Sequence, residues 1–322
     1  MKAVQFHEVG GPEVLRYGDV EQQAPAAGQV RLRVAASAFN AADNGMRAGF
    51  LPIPVELPHV PGYDVSGTVD ALGDGVGGVV DGGPGNGLAG GLAVGDAVVG
   101  FLPMERDGGA AEYVVVPAEA VVAAPHSIPL ADAAALPSVS LTAWQALFDD
   151  GGLQAGQRVL IVGAGGVVGK YAVQLAVRAG VHVIATASPR SIDAVRAAGA
   201  DQVIDHTRTD LLDALDGQVD VLLNLAPIEP EQFAAYVDAV RDGGVVVSTT
   251  AFMATPDDAS RGVRAATVFV QPNRERLAQL VALVDAGELT VEVTRRIPLE
   301  ELTALHAEAS EGRISGKVVV LP

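Results

Sequence analysis

The amino-acid sequence predicts an α/β protein with a central, doubly wound parallel sheet and a second, β-rich domain. Residues 1–125 read as short strands punctuated by glycine and proline, and residues 30–34 alternate apolar and charged side chains as a half-buried strand does. From about residue 130 onward, apolar strands alternate with helical segments, which is typical of a parallel sheet between two layers of helices.

The order of these segments predicts how the chain is divided. We expect the β-rich domain at residues 1–125, the parallel sheet at 126–265, and a return segment at 266–322 that completes the sheet edge and rejoins the β-rich domain. Glycine dominates residues 73–95, which we interpret as a passive exposed loop, with a lid over the active site as the alternative.

Composition and charge exclude several classes of function. The chain has 322 residues, 49% of them hydrophobic, which is enough for a sizeable core. Its net charge of −18 argues against nucleic acid as a partner, because phosphates require clustered lysine and arginine. There is no cysteine and the histidines lack ligand spacing, so we expect no metal site. Because no apolar run approaches the roughly 20 residues needed to span a bilayer and no signal peptide is evident, we expect no membrane contact and a cytoplasmic location.

A glycine-rich loop follows the apolar strand at 158–162 and precedes a helix rich in alanine and valine. Glycines permit a tight turn and let backbone N–H groups approach a pyrophosphate, while the helix N-terminus favours negative charge. A glycine turn alone is a weak signal, but strand, loop, helix and second strand in this order predict a dinucleotide site. The candidate cofactor-binding residues here are Gly163, Ala164, Gly165, Gly166, Val167, Val168 and Gly169.

The end of the second strand decides which dinucleotide is bound. A site for NAD usually has an acid there for the ribose 2′-hydroxyl, whereas this strand runs into Ser188, Pro189 and Arg190. Ser188 can hydrogen-bond a 2′-phosphate and Arg190 can neutralise it, so we predict NADPH. The alternative for Arg190 is a surface residue that begins the next helix.

His206 is a further candidate for the cofactor site, at its adenosine end. It follows the third strand, at residues 202–204, where ligands of doubly wound sheets gather. An exposed loop histidine is the alternative.

Short motifs extend along nearly the whole chain. They are FNAAD at 39–43, VPGYDVSG at 60–67, GAAEY at 109–113, LP at 136–137, LTAW at 141–144, the glycine loop, GAD at 199–201 and GK at 316–317. In this order they resemble the zinc-independent, quinone-oxidoreductase-like branch of the medium-chain dehydrogenase/reductase superfamily. The resemblance implies a GroES-like substrate domain formed from both chain ends around a central Rossmann domain, with NADPH as cofactor. It also implies reduction of quinones or other α,β-unsaturated carbonyls, and commonly a homodimer.

The same resemblance points to individual site residues. Asn40 stands where the family has an amide near the nicotinamide, and Asp43 could lie on the same edge as a second catalytic residue. For Asp43 the alternative is a local ion pair with Arg47. Thr142 matches a cofactor-contacting threonine of the family, and Lys317 resembles its closing lysine, so the resemblance places Asn40, Thr142 and Lys317 among the cofactor-binding residues. A helix-start hydroxyl is the alternative for Thr142, and a strand-edge charge is the alternative for Lys317.

The chain departs from the family pattern at two positions. Many relatives have a tyrosine just after the Asn-x-x-Asp stretch, a plausible proton donor, and residues 44–50 contain none. Tyr63 stands where zinc-dependent relatives have a ligand histidine, and it is either a packed side chain or a substitute donor. Water is the remaining source of the proton, and the sequence alone does not name the acid.

Three functions therefore compete. An NADPH-dependent quinone or enone reductase is favoured. A pathway-specific cyclase or isomerase that keeps the pocket without net reduction is the first alternative, and an NADPH-binding protein without turnover is the second. The apolar run of Thr267, Val268, Phe269 and Val270 suits an exposed sheet edge, so we expect a homodimer formed through the Rossmann domain.

Overall fold

The computed structural model describes residues 1–77, 91–250 and 252–322, and the contacts divide the chain into two units. The first unit comprises Met1–Ser138 and Pro272–Pro322, and the second comprises Val139–Gln271. Both divisions lie later in the chain than the boundaries at 125 and 265 expected from the sequence. Most of the glycine-rich segment 73–95, namely residues 78–90, lies outside the described residues, so its role as loop or lid stays a prediction.

The elements are named here in chain order. The strands are β1 (Lys2–Phe6), β2 (Leu15–Asp19), β3 (Gln29–Ala38), β4 (Asp64–Leu72), β5 (Ala97–Phe101), β6 (Tyr113–Pro117), β7 (Val121–Ala123), β8 (Arg158–Val162), β9 (His182–Ala187), β10 (Gln202–Asp205), β11 (Val219–Asn224), β12 (Val240–Ser248), β13 (Arg264–Thr267), β14 (Arg295–Pro298) and β15 (Val318–Leu321). The helices are α1 (Ala41–Arg47), α2 (Leu130–Ala133), α3 (Pro137–Trp144), α4 (Val167–Arg178), α5 (Ile192–Ala197), α6 (Leu211–Ala214), α7 (Pro230–Ala235), α8 (Arg274–Asp285) and α9 (Leu302–Ser310).

The first unit contains a mainly antiparallel seven-stranded sheet and the two-stranded ribbon β1–β2. The strand order is β14-β15-β3-β4-β5-β7, with β6 also paired to β3. Val30, Leu32 and Val34 are buried along β3, so the predicted alternation is confirmed. α2 packs on β3 and β4, which explains why the helical residues after 125 belong to this unit. The final strand, β15, pairs with β3 and returns the chain to the sheet.

The second unit contains a six-stranded, fully parallel sheet in the order β10-β9-β8-β11-β12-β13. The order reverses between β8 and β11, which is the topological switch point of a doubly wound sheet. The predicted fold class is therefore confirmed. Among the helices of the described residues, none has the length and apolar character needed to cross a bilayer.

A buried basic pair joins α1 to α9 in the first unit. The Arg47 guanidinium donates from Nε to His306 Nδ1 at 3.4 Å and from Nη2 to Asn44 Oδ1 at 2.7 Å, and it also donates to the Gly10 carbonyl. Asp43 is not among these partners, so the local ion pair considered for Arg47 is not formed. Burial, helped by the positive charge of Arg47, lowers the pKa of His306 to about 3 and keeps its imidazole neutral.

We predict that His306 makes the fold sensitive to acid. Below the ordinary histidine pKa of about 6.5, His306 takes up a proton in the unfolded chain but stays neutral in the folded protein, where its pKa is about 3. Between pH 6.5 and pH 4.5 this group should remove about 2.5 kcal/mol from the free energy of unfolding. Urea denaturation of the wild type and of His306→Asn at both pH values measures the difference. The variant should lose less stability on acidification, and an identical loss in both proteins would contradict the prediction.

Candidate functional site

A buried polar cluster lies where three strands of the first unit meet. Ala38, the last residue of β3, pairs with Asp64 at the start of β4 on one side and with Val319 of β15 on the other. This register brings Asn40, which follows β3, and Lys317, which precedes β15, to the Asp64 carboxylate. The cluster therefore joins residues from both ends of the chain.

Lys317 is the cation of the cluster and is only 3% exposed. Its Nζ donates to Asn40 Oδ1 at 2.5 Å, to Asp64 Oδ2 at 3.2 Å and to the Phe39 carbonyl at 3.4 Å. An ammonium group has three donors, and all three have partners here. Lys317 is thus a buried anchor of Asn40 and not a charge at a strand edge.

Asp64 is the matching anion and is fully buried. Besides Lys317, it accepts hydrogen bonds from the Ser138 backbone N–H at 2.8 Å, from Ser138 Oγ at 2.6 Å and from Asn40 Nδ2 at 2.9 Å. The sequence reasoning missed Asp64 and Ser138. The signal that could have found Asp64 is an acid within an otherwise apolar strand. A buried carboxylate requires compensating partners, so such a residue indicates a polar cluster around it.

Asn40 and Asp43, the candidate catalytic residues, are held by internal hydrogen bonds. The second N–H of the Asn40 amide donates to the Ala38 carbonyl at 3.3 Å. Asp43 Oδ2 accepts the Asn40 backbone N–H at 2.8 Å, and Oδ1 accepts the Gly62 N–H at 2.9 Å. Burial raises the pKa of Asp43 to about 6, against the effect of the two backbone donors. These bonds fix the start of α1 to the loop that precedes β4.

Tyr63 lies between Gly62 and Asp64 in the chain and is 1% exposed. Its hydroxyl is 2.8 Å from His59 Nε2, and burial, helped by the negative charge of Asp43, raises the pKa of the phenol. Of the two interpretations given for Tyr63, a packed side chain and a substitute proton donor, the structure shows the packing. The hydroxyl is also hydrogen-bonded to a buried histidine.

The glycine loop of the second unit has the shape of a phosphate cradle. Gly163 follows β8 with φ +84°, a conformation that favours glycine, and its N–H donates to Thr186 Oγ1 at 3.0 Å. At Gly169 an added Cβ would lie 2.5 Å from the Ala164 Cα, so the first turn of α4 packs directly on the loop. The helix begins at Val167, which leaves its first backbone N–H groups facing the loop.

A cavity of roughly 630 Å³ adjoins this loop at the carboxyl ends of β8, β9, β10 and β11. Gly163, Thr186 and His206 line it, so the structure places His206 beside the glycine loop. Arg208 also lines the cavity and was missed, although a basic residue two positions after His206 was visible in the sequence. The buried Asn224, at the end of β11, has an Nδ2 group without a hydrogen-bond partner in the described part of the chain.

Three other candidates of the second unit lie outside this cavity lining. Ser188 and Arg190 directly follow β9, and the exposed Arg190 side chain takes part in no hydrogen bond or ion pair of the described residues. Thr142 is half-buried and well inside α3, so it is not a hydroxyl at a helix start.

Two family models match separate parts of the chain. Residues 26–126 match the alcohol dehydrogenase GroES-like domain, and residues 198–320 match the zinc-binding dehydrogenase family. The chloroplastic quinone-oxidoreductase QR1 of Triphysaria versicolor is 30% identical over 100% of this chain and 98% of its own length. The quinone oxidoreductase structure from Coxiella burnetii is 30% identical with a TM-score of 0.87, covering 100% of this chain and 99% of that one. The mycobacterial protein Rv1454c in complex with NADPH is 26% identical with a TM-score of 0.82, covering 100% of both chains.

The fold, the glycine loop and the order of the motifs define an oxidoreductase with a GroES-like domain and a Rossmann domain. The chain belongs to the zinc-independent, quinone-oxidoreductase-like branch of the medium-chain dehydrogenase/reductase superfamily. One matching family is named for zinc, yet this chain has no cysteine. Within the described residues, no group of three or more histidine, aspartate and glutamate side chains is arranged to hold a metal ion.

We predict that Lys317→Met destabilises the protein by about 3–5 kcal/mol, because it leaves the Asp64 carboxylate buried without its cation. The double variant Lys317→Met, Asp64→Asn should recover much of that loss, since it removes both charges. Lys2→Met, which breaks the exposed pair of Lys2 with Asp19, is the matched control and should change little. Chemical denaturation of these four proteins and of Asp64→Asn alone measures the coupling, and a loss in the double variant equal to the sum of the two single losses would argue against a coupled pair.

Proposed function

We propose that the protein is a metal-free, NADPH-dependent oxidoreductase that transfers hydride to a quinone or another α,β-unsaturated carbonyl. The observation that carries the proposal is the glycine cradle between β8 and α4, where a Cβ at Gly169 would collide with the Ala164 backbone. Such a loop lets backbone N–H groups reach a pyrophosphate at a helix N-terminus. The solved relative Rv1454c binds NADPH, which supports this cofactor for the present chain.

The residues of the second unit fit a dinucleotide. The backbone N–H groups of Gly165 and of the first turn of α4 would hold the pyrophosphate, because those of Gly163, Ala164 and Gly166 already donate to Thr186 Oγ1, the Thr186 carbonyl and the Gly163 carbonyl. The Nδ2 of Asn224, which has no partner among the described residues, is a buried donor at the switch point that a ligand would satisfy. Arg190 and Arg208 offer exposed guanidinium groups for a 2′-phosphate, with Ser188 and His206 as hydrogen-bonding neighbours. Thr142 remains our candidate for a further cofactor contact.

The first unit supplies positioned side chains for the reaction. The bound nicotinamide supplies the hydride. We propose that Lys317 and Asp64 act through Asn40 by fixing the orientation of its amide, while Asp43 fixes the backbone of Asn40 and Gly62. Lys317, which the motif comparison placed among the cofactor ligands, is thereby assigned a positioning role. A reaction that depends on a near-attack geometry gains from such fixed groups.

A homodimer is also proposed. β13 is the edge strand of the parallel sheet, and Phe269, two residues beyond its end, is 48% exposed. An unpaired sheet edge followed by an exposed aromatic side chain suits pairing with a second copy.

We expect tighter binding of NADPH than of NADH, with Arg190 and Arg208 contributing to the difference. Arg190→Ala and Arg208→Ala should each weaken the binding of NADPH by about tenfold and leave the affinity for NADH nearly unchanged, because NADH has no 2′-phosphate. Arg313→Ala, an exposed arginine of the first unit, is the control. Titration followed by the fluorescence of Trp144, the single tryptophan, gives the affinities. Equal affinities of the wild type for both dinucleotides would overturn the assignment.

We expect NADPH oxidation with members of a panel of quinones and enones. The panel also separates the two alternatives. Product formation from a substrate without loss of NADPH would establish a cyclase or isomerase, which the missing tyrosine after Asp43 keeps open. Tight NADPH binding without turnover of any panel member would establish a binding protein.

A further inference from the structure

A proline-rich segment that follows α1 exposes apolar side chains to solvent. Residues 50–58 read FLPIPVELP, so eight of the nine are apolar; all nine are described, and none of them is buried. Phe50 is 70% exposed and Leu57 is 46% exposed. Residues that precede proline favour extended backbone, and proline has no N–H to pair with a strand. The segment is therefore extended without joining a sheet, and its apolar side chains stay accessible.

Val9, from the loop after β1, extends the same surface and is 54% exposed. An added Cβ at Gly49 would lie 3.4 Å from the Val9 Cβ, so Val9 lies against the turn between α1 and the exposed segment. Phe6 and His59 exchange two backbone hydrogen bonds of 2.9 Å in an antiparallel bridge. This bridge makes the residues after Phe6 run beside those before His59, which include Leu57. The resulting apolar patch consists of Val9, Phe50, Leu51 and Leu57.

The apolar patch begins close to the candidate catalytic cluster of the first unit. α1 starts directly after Asn40 and contains Asp43 in its first turn. The Phe50 N–H donates back to the Gly45 carbonyl at 2.9 Å, and Leu51 Cγ lies 3.3 Å from the place of a Cβ at Gly45. Because a helix rises about 1.5 Å per residue, Gly45 is only about 7 Å along α1 from Asn40. A substrate whose carbonyl lies at Asn40 can therefore reach the patch with a short alkyl chain.

The polar groups of the cluster are committed to one another. Both N–H groups of the Asn40 amide, all three of Lys317 and both oxygens of Asp43 have internal partners. A substrate bound here therefore gains free energy mainly by burying apolar surface, and each methylene group so buried strengthens binding by about threefold. Exposed contiguous apolar patches are the usual mark of such binding surfaces.

The charges around the patch determine which apolar ligand suits it. The segments 7–13 and 48–58 contain three exposed acids and no lysine or arginine. The acids are Glu8, Glu13 and Glu56. Arg47, the cation that precedes the second segment, is 2% exposed and is hydrogen-bonded within the fold. A carboxylate at the end of the chain, or an anionic lipid surface, would be repelled here, whereas a neutral chain would not.

We propose that the apolar patch binds the alkyl chain of a neutral, lipophilic enone or quinone whose reacting carbonyl lies at Asn40. This inference rests on the proposed function and adds the substrate class to it. Small polar carbonyls lack the chain that the patch holds, and substrates that resemble fatty acids carry the wrong charge. The patch determines specificity through substrate affinity and takes no part in hydride transfer, so its contribution grows with the length of the alkyl chain.

A homologous series of 1-alken-3-ones tests this assignment, because the reacting vinyl ketone is the same from 1-penten-3-one to 1-decen-3-one. In the wild type, kcat/KM should rise by at least about 30-fold along the series, mainly through KM. Phe50→Ser and Val9→Ser should each reduce this rise, with losses that grow with chain length. Val94→Ser is the matched control and should keep the wild-type rise. Val94 is 63% exposed, but it precedes Gly95, whose N–H donates to the Val69 carbonyl, whereas the cluster lies at the start of β4.

Three further comparisons define the ligand chemistry. The vinyl ketone 9-oxo-10-undecenoate ends in a carboxylate, so its kcat/KM should be at least about tenfold below that of 1-decen-3-one, and Glu8→Gln with Glu56→Gln should narrow the difference. A pair of quinones, 2-methyl- and 2-heptyl-1,4-benzoquinone, repeats the chain-length comparison for the other carbonyl class. Ligand-observed NMR with 3-pentanone and 3-decanone measures binding without turnover, and saturation transfer to the 3-decanone chain should decrease in Phe50→Ser.

The outcomes are separable. A chain-length effect that is absent from the wild type, or that Phe50→Ser leaves unchanged, would overturn the substrate class and leave the oxidoreductase in place. Preference for the carboxylate would overturn the neutral ligand. If Phe50→Ser changed the association state in sedimentation velocity but not the chain-length effect, a second copy of the chain would be the occupant. A wild type that reduces no enone or quinone would overturn the proposed function. The NMR comparison then decides on the patch alone, and equal binding of both ketones would overturn it.

Discussion

One buried ion pair, that of Lys317 with Asp64, determines how the first unit presents its polar residues. Lys317 immediately precedes the last strand of the chain and Asp64 begins the fourth, and β3 lies between those two strands. A carboxylate and an ammonium group buried this deeply are tolerable only together, because each alone would carry a large desolvation cost. The pair therefore makes the return of the C-terminal strand a condition for forming the site.

The consequence is an amide with a single permitted orientation. Lys317 can only donate and Asp64 can only accept, so the Asn40 oxygen must face the lysine and its nitrogen the carboxylate. The Asp43 carboxylate accepts two further hydrogen bonds, from the backbone N–H groups of Asn40 and Gly62, and so fixes both of these residues. An amide held in this way is preorganised, which is the property that fixed dipoles need if they are to contribute to catalysis. The same bonds use up the donors that the cluster could otherwise offer to a substrate.

Local patterns in the sequence were sufficient to predict the fold and the position of the glycine loop. Alternation at residues 30–34 and the strand-glycine-helix order at 158–169 depend on neighbours in the chain, so both could be predicted. The partners of Asn40 could not be predicted in this way, because Lys317 is 277 positions away in the chain and reaches the Asn40 amide only through strand pairing. Arg208 was missed for a different reason. An exposed arginine in a loop has no distinctive pattern until the cavity around it is known.

Two buried histidines of the first unit illustrate how the neighbouring charge decides what a side chain can do. His306 lies against the Arg47 cation, which adds to the effect of burial and lowers its pKa to about 3, and its Nε2 has no partner in the described part of the chain. Burial also lowers the pKa of His59, but the negative charge of Asp107 opposes that effect, and both ring nitrogens have a polar neighbour. His306 Nδ1 lies near Arg47 Nε and Asn44 Oδ1, and the ring serves the packing of α1 on α9. His59 instead lies between the partly exposed Asp107 carboxylate and the buried phenol of Tyr63.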